Sequence, residues 1–277
     1  MVAIHAVAFP TSDVAAFFRA LADETRLAIV RLLALTDLRA GEIVERLQAP
    51  QNAVSYHLKQ LRSLGLLRDR RGGWDARDVY YSIDLERLHA LYAQAGSTLH
   101  PGIACEPEAS SAPTQPGRPL RVLFLCTHNS ARSQLAEAIL RQLGADQVEV
   151  YSAGSQPTGV HPVTAELMEE WGLDPSRHAS KAMDAFIGQH FDYVITVCDR
   201  VRETCPVFPG DPTRIHWSLP DPVAVQDEEE QRRVFEQVRR ELLTRVRYLL
   251  SLPHPATGQR LRRIASPAAA RDGREEL

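Results

Sequence analysis

The chain has 277 residues, of which 44% are apolar and 24% charged, and a formal net charge of −3. This is the composition of an ordinary globular protein long enough for two modest domains, and no apolar run approaches the length of a bilayer-spanning helix. The mild acidity excludes nucleic-acid binding driven by overall charge, so any such contact has to come from a local patch. The opening MVAIHAVAFP has no positively charged segment leading into an apolar one. No export signal is read there, and the cytoplasm is the expected location. In that reducing compartment the close pair Cys198 and Cys205 is expected to be catalytic, redox-active or metal-binding before it is a structural bridge.

In chain order the first elements are helical. Asp23 is placed to cap ETRLAIVRLLAL, where Leu27, Val30 and Leu33 recur at helical spacing. A short helix AGEIVERL follows, then PQNAVSYHLKQLRSLG, with Val54, Leu58 and Leu61 as the apolar stripe and Gly65 as the stop. The outward face of that helix carries Gln51, Asn52, Ser55, Tyr56 and Lys59, and His57 reads as a partly buried packing residue. LLRDRRGGWDARDVYYSID gives two strands around a Gly-Gly turn, and LERLHALYAQAG a closing helix. Two short helices, the second with a polar face, followed by a basic hairpin make a winged helix-turn-helix. From Lys59 to Arg77 six basic residues stand against two acidic ones, which supplies a local positive patch.

The blocks FFRALADETRLAIVRLL, AVSYHLKQLRSLGLL and VYYSI, in this order, resemble the metalloid-responsive repressors of the ArsR family. The resemblance covers roughly the first hundred residues. It implies a homodimer formed through these helices and operator DNA as partner, with Gln51, Asn52, Ser55, Tyr56 and Lys59 in the major groove and Arg70 and Arg71 of the wing on phosphates. Many relatives carry a cysteine pair on the helix before the recognition helix, whereas residues 1 to 100 contain no cysteine. Cys105 is therefore the first candidate inducer ligand, with thiol ligation the chemistry suited to trivalent arsenic.

HPGIACEPEASSAPTQPGRP, residues 100–119, reads as a linker with a coil span on the order of 25 Å. The stretch 253–277 lacks apolar periodicity and reads as a disordered tail. Between them RVLFLC is a buried-strand pattern that CTHNSARSQLAEAILRQL turns directly into a helix. The loop Thr127, His128, Asn129, Ser130, Ala131 and Arg132 would gather backbone N–H groups around one anion at a helix start. The same field is expected to lower the pKa of Cys126, while Arg132 brackets two oxygens and the Ser133 hydroxyl donates to the sulfur. VEVYSAG, a helix around TAELMEEWG, FDYVITVC, RIHW and a last helix from near Asp227, with Val234, Val238, Leu242, Val246 and Leu249 at helical spacing, complete an α/β alternation. Such a chain builds a parallel sheet whose ligands bind at the carboxyl ends of the strands, where Cys126, Cys198 and Asp221 all fall.

LCTHNSARSQ, VYSAG, VITVCD with ETCP, and HW followed by DP resemble the low-molecular-weight tyrosine phosphatase fold and, within it, the thiol-dependent arsenate reductases of the ArsC type. The resemblance implies that Cys126 attacks arsenate while Asp221 protonates the departing oxygen. Cys198 then releases arsenite as a Cys126–Cys198 disulfide forms, and Cys205 carries the oxidation outward to thioredoxin or a comparable thiol reductant. Slack in the polar loop between Cys198 and Cys205 is expected to let them meet. No cofactor and no metal are implied. Relatives can hold potassium near the cradle; Asn129, Glu137 and Ser152 match, but Lys181 falls at the acidic position and no potassium dependence is expected. His128 stands where Gly is frequent, a position at which positive φ would be tolerated by histidine. The expected architecture is multidomain: a winged helix-turn-helix over 1–99, the linker over 100–119, an α/β arsenate reductase or low-molecular-weight phosphatase-like domain over 120–252, and the tail. A regulator joined to a phosphatase, or to a thiol sensor without turnover, remains as the alternative.

Overall fold

A computed structural model describes residues 11–73, 75, 77–100 and 118–255. Most of the expected linker and tail, Cys105 included, lies outside the described residues. The chain divides into two compact units, Met1–Ala112 and Pro113–Leu277.

In the first unit α1 (Thr11–Leu21), α2 (Glu24–Leu33), α3 (Ala40–Leu47) and α4 (Gln51–Ser63) precede the hairpin β2 (Leu67–Arg71) and β3 (Val79–Ile83), and α5 (Leu85–Leu99) closes the unit. Asp23 caps α2 by accepting the Arg26 N–H at 2.9 Å. The buried stripe of α2 is Ile29, Val30 and Leu33, and Leu27 is 41% exposed. At 100° per residue Leu27 lies on the far side of the helix from Ile29, which corrects its expected place in the core. Val54, Leu58 and Leu61 of α4 are buried, and Gly65, at φ 69°, turns the chain out of that helix. A two-residue strand β1 (Leu38–Arg39) pairs antiparallel with β3, giving the order β1-β3-β2. Two residues are too few for an alternation to show in sequence. α5 also runs past Gly96, where the closing helix was expected to stop.

The second unit is built on a parallel sheet of order β5-β4-β6-β7, with β4 (Leu120–Cys126), β5 (Val148–Gly154), β6 (Tyr193–Thr196) and β7 (Thr213–His216). Central β4 is buried at all positions but Arg121. Each fully buried Val, Leu or Phe there contributes about 1.5–3 kcal/mol. α6 (Arg132–Gly144), α7 (Pro162–Glu170) and α9 (Glu228–Leu250) are the longer helices. Asp227 caps α9, which buries Phe235, Val238, Leu242, Val246 and Leu249 and leaves Val234 half-buried. The register sets Cys126 opposite Gly154, Leu125 opposite Thr196, and Thr196 opposite His216. The carboxyl ends of all four strands therefore share one rim. Between Cys198 and Cys205 the chain forms a short helix α8 (Asp199–Thr204), not the slack polar loop expected. Among the described residues no helix is long and apolar enough to cross a membrane.

Candidate active site

The site begins where β4 ends. Cys126 is 3% exposed, and its Sγ lies 2.9 Å from Ser133 Oγ and receives the Asn129 N–H at 3.0 Å. Asn129 Nδ2 donates to Ser133 Oγ at 2.9 Å and to Ser152 Oγ at 2.8 Å. With its oxygen accepting from Asn129, Ser133 has its own proton available for the sulfur. The positive φ of the loop, 49°, falls on Asn129 and not on His128 as expected. Asparagine visits this region more readily than most residues, and its backbone N–H is thereby turned onto the sulfur. Gly154 of the neighbouring strand has to be small, because a Cβ there would stand 2.6 Å from the Thr127 carbonyl oxygen.

The carbonyls of Cys126, Thr127, His128 and Ser130 accept the N–H groups of Ser155, Gln156, Thr158 and His161, and that of Ala131 accepts the N–H of Leu135. These bonds hold the carbonyl oxygens away from the sulfur and lower the local negative potential, as an anion-binding loop at a helix start requires. Arg132, the first residue of α6, sends one guanidinium nitrogen to the Leu219 carbonyl at 3.2 Å and the other to Asp221 Oδ2 at 2.7 Å. Asp221 Oδ1 also accepts the Val223 N–H. Arg132 and Asp221 are thus brought together beside the loop.

Burial pushes the Cys126 thiol up from its ordinary value, and the neighbouring Cys198 adds to this. Arg132, the Ser133 hydroxyl and the Asn129 N–H act in the opposite direction. The expected lowering is overturned: desolvation of a fully enclosed sulfur outweighs one guanidinium that is already paired. Cys198, the N-cap of α8, is 3% exposed, with its sulfur 3.4 Å from Thr127 Oγ1. Cys205 ends the same helix, half-buried, and burial raises its thiol against the lowering effect of Arg214. The structure therefore gathers Cys126, Thr127, Asn129, Ser133 and Cys198 and sets Cys205 at the other end of α8.

Sequence reasoning passed over a buried cluster next to Cys198. Asp199 Oδ1 accepts the Ser218 hydroxyl at 2.7 Å and lies 3.1 Å from His216 Nε2. The HW pair was visible as a family-like piece, but nothing in its spacing says that His216 meets the residue after Cys198.

Around Glu137, Asn129 Oδ1 accepts the Lys181 backbone N–H at 2.7 Å, and Lys181 Nζ lies 3.3 Å from Glu137 Oε2. Arg141 binds the other oxygen of Glu137. With its carboxylate already matched by two cations, this set does not fit a further cation. Among the described residues no group of three or more His, Cys, Asp or Glu is arranged to hold a metal.

In the first unit Gln51, Asn52, Ser55, Tyr56 and Lys59 are all exposed on α4. Arg71 is exposed on β2, while Arg70 is half-buried with a guanidinium nitrogen on the Arg71 carbonyl. At least three of the six basic residues of the patch are paired, Arg62 with Asp69, Arg68 with Asp84 and Arg77 with Asp75. The positive field there is weaker than the residue count suggests. His57 is half-buried, 3.7 Å from Asp23.

The profile of the low molecular weight phosphotyrosine protein phosphatases matches residues 121–263, and that of the bacterial regulatory proteins of the arsR family matches residues 23–69. The arsenate reductase of Halalkalibacterium halodurans is 37% identical over 127 residues, 46% of this chain and 91% of that protein. That of Bacillus subtilis is 38% identical over 127 residues, with the same shares of 46% and 91%. Among solved structures, the thioredoxin-dependent arsenate reductase of Corynebacterium glutamicum is 25% identical, with 80% of this chain and 94% of that one covered at a TM-score of 0.38. By the extent of the first profile and the identity to these relatives, the chain belongs to the low molecular weight phosphotyrosine protein phosphatase family, with an arsenate reductase domain as its second part and an arsR-family regulator domain as its first.

Proposed function

We propose that the second unit reduces arsenate to arsenite through a thiol relay and that the first unit is an arsenic-responsive repressor of operator DNA. The observation that carries the reading is a second buried thiol, Cys198, whose sulfur lies 3.4 Å from the hydroxyl of Thr127, the residue after the hydrogen-bonded Cys126. Hydrolysis of a phosphocysteine needs one thiol; a two-electron reduction needs two.

The loop from Thr127 to Arg132 receives the arsenate dianion, and Arg132 exchanges its bonds to Asp221 and Leu219 for substrate oxygens. Burial disfavours the Cys126 thiolate, and the arsenate dianion supplies a base that can take the thiol proton as the sulfur attacks. The resulting thiolate, held by Ser133 and the Asn129 N–H, attacks arsenic, and the proton given up by the thiol is relayed by the Asp221 carboxylate, once Arg132 has released it, to the hydroxyl that departs as water. Cys198 then attacks Cys126 Sγ: the sulfur–arsenic pair of electrons stays on arsenic, As(V) becomes As(III), and arsenite leaves behind a Cys126–Cys198 disulfide. Cys205 attacks Cys198, returning Cys126 to the thiol and moving the disulfide to the helix α8, where an external reductant of the thioredoxin type resolves it.

The remainder of the assignment follows the same logic. The first unit acts as a homodimeric winged helix-turn-helix that lays Gln51, Asn52, Ser55, Tyr56 and Lys59 of α4 in the major groove with Arg70 and Arg71 on phosphates, Cys105 is the first candidate inducer ligand, and the reductase extends past residue 252, since His254 is buried beside Asp192. A thiol relay coupled to operator binding assigns the chain to the cytoplasm.

The test is an arsenate-dependent assay coupled to thioredoxin and its reductase on the full chain. Steady reductant consumption with stoichiometric arsenite is expected. Hydrolysis of an aryl phosphate that survives Cys198→Ser, with no arsenate turnover in the parent chain, would establish the phosphatase alternative instead.

A further inference from the structure

Asp199 and His216 form a buried pair that the relay outlined above does not use. Besides Ser218 and His216 on Asp199, His216 Nδ1 lies 2.8 Å from Thr196 Oγ1, and all four side chains are buried. A carboxylate on the first residue of a six-residue helix would ordinarily be left in water, since burying it is costly unless it is fully bonded. Here it ties the first turn of α8 to the end of β7 and, through His216, to the end of β6.

Cys198 and Cys205 are seven residues apart across α8, about 10 Å at the rise of a helix, whereas a disulfide needs Cα atoms within about 7 Å. α8 has to unwind at least in part before the two sulfurs can join. We propose that Asp199, His216 and Ser218 are positioning residues: a latch whose bonds form only while α8 is helical, and which thereby stabilises the dithiol and sets the reduction potential of the Cys198–Cys205 couple. The proposal rests on the relay reading. Its half-reaction is two thiols giving one disulfide, two protons and two electrons.

The experiment equilibrates the full chain carrying Cys126→Ser in glutathione buffers, where the two electrons reduce glutathione disulfide to two glutathione thiols, and quantifies the Cys198–Cys205 disulfide by mass spectrometry of alkylated peptides. Adding Ser218→Ala or Asp199→Asn, each checked for a cooperative thermal transition, is expected to shift the equilibrium about tenfold toward the disulfide, a potential about 30 mV more negative. His216→Gln is expected to move it in the same direction. A potential within twofold of the parent in the folded variants, or a shift toward the dithiol, overturns the latch. If the Cys126→Ser parent itself forms no Cys198–Cys205 disulfide at any buffer ratio, the relay reading fails and the latch fails with it.

Discussion

Cys198 and Cys205 stand at opposite caps of one helix, Cys198 at the N-terminal end of Asp199–Thr204 and Cys205 at its C-terminal end. Seven residues at the rise of a helix span about 10 Å, beyond the reach of about 7 Å that a disulfide allows, so the dithiol and disulfide forms have to differ in this segment. Amide hydrogen exchange within 199–204 is expected to rise at least about tenfold on oxidation, as expected when local helix opening exposes these groups. β4 and β6 should be unaffected. Equal protection of the helix in both forms would mean that the disulfide forms elsewhere.

The relay also predicts what happens when its last member is removed. Cys205→Ser retains Cys126, Ser133, Asn129 and Cys198, the groups the structure gathers at the loop. It should release one arsenite per chain and stop as a Cys126–Cys198 disulfide, visible as a burst without steady turnover. Loss of the burst would assign Cys205 to the chemistry on arsenic and remove it from the relay.

Much of this was legible before any coordinates, and the limits have physical causes. The strand-loop-helix around Cys126 was readable because a buried strand, a short polar loop and a helix start are each locally encoded. The caps Asp23 and Asp227 were readable for the same reason. The direction of the Cys126 shift was not, since it depends on how completely the fold encloses the sulfur, which sequence does not display. Nor was the helical state of DRVRET, a segment so short that tertiary contacts of Asp199 decide it. The pairing of Asp199 with His216 and of Lys181 with Glu137 joins residues 17 and 44 positions apart. The three ion pairs that blunt the basic patch were likewise invisible in a count of charges.

The raised Cys126 thiol has a pH consequence with a definite sign. Between its unfolded and folded values the folded chain holds more protons than the unfolded one, so stability falls as pH rises through that interval and its contribution is complete below the unfolded value. Alkylation of Cys126 by a neutral reagent should show a midpoint above that of the same thiol in the denatured chain. Cys126→Ser should flatten the alkaline loss of stability. A midpoint below the denatured value would show that the loop field outweighs burial.

Lys181 makes a prediction about ions. Its ammonium sits on Glu137, opposite Arg141, next to the Asn129 that directs its N–H to the Cys126 sulfur. Turnover should be the same in potassium and sodium at equal ionic strength. Lys181→Ala leaves one cation on a carboxylate that is 2% exposed, and should lower both stability and turnover. Clear activation of the parent chain by potassium would show that Lys181 does not stand in for a cation.

The last prediction concerns the arsenic response proposed for the first unit. The exposed side chains of α4 depend on the first unit alone, since Val54, Leu58 and Leu61 pack within it. A fragment ending at His100 should therefore bind operator DNA, and Lys59→Ala within it should lower affinity and reduce the slope of log affinity against log salt by about one, as for one lost phosphate contact. The same fragment contains no cysteine, whereas the full chain has Cys105 just beyond it and three more thiols in the second unit. Trivalent arsenic is captured by thiolates, so the fragment should stay on DNA when arsenite is added at micromolar concentration and the full chain should leave it. Cys105→Ser in the full chain then divides the remaining possibilities. Loss of release assigns the inducer site to the linker cysteine; retained release moves it to Cys126, Cys198 and Cys205, making the reductase thiols the sensor as well as the catalyst. Release of the fragment itself by arsenite would exclude thiol sensing altogether.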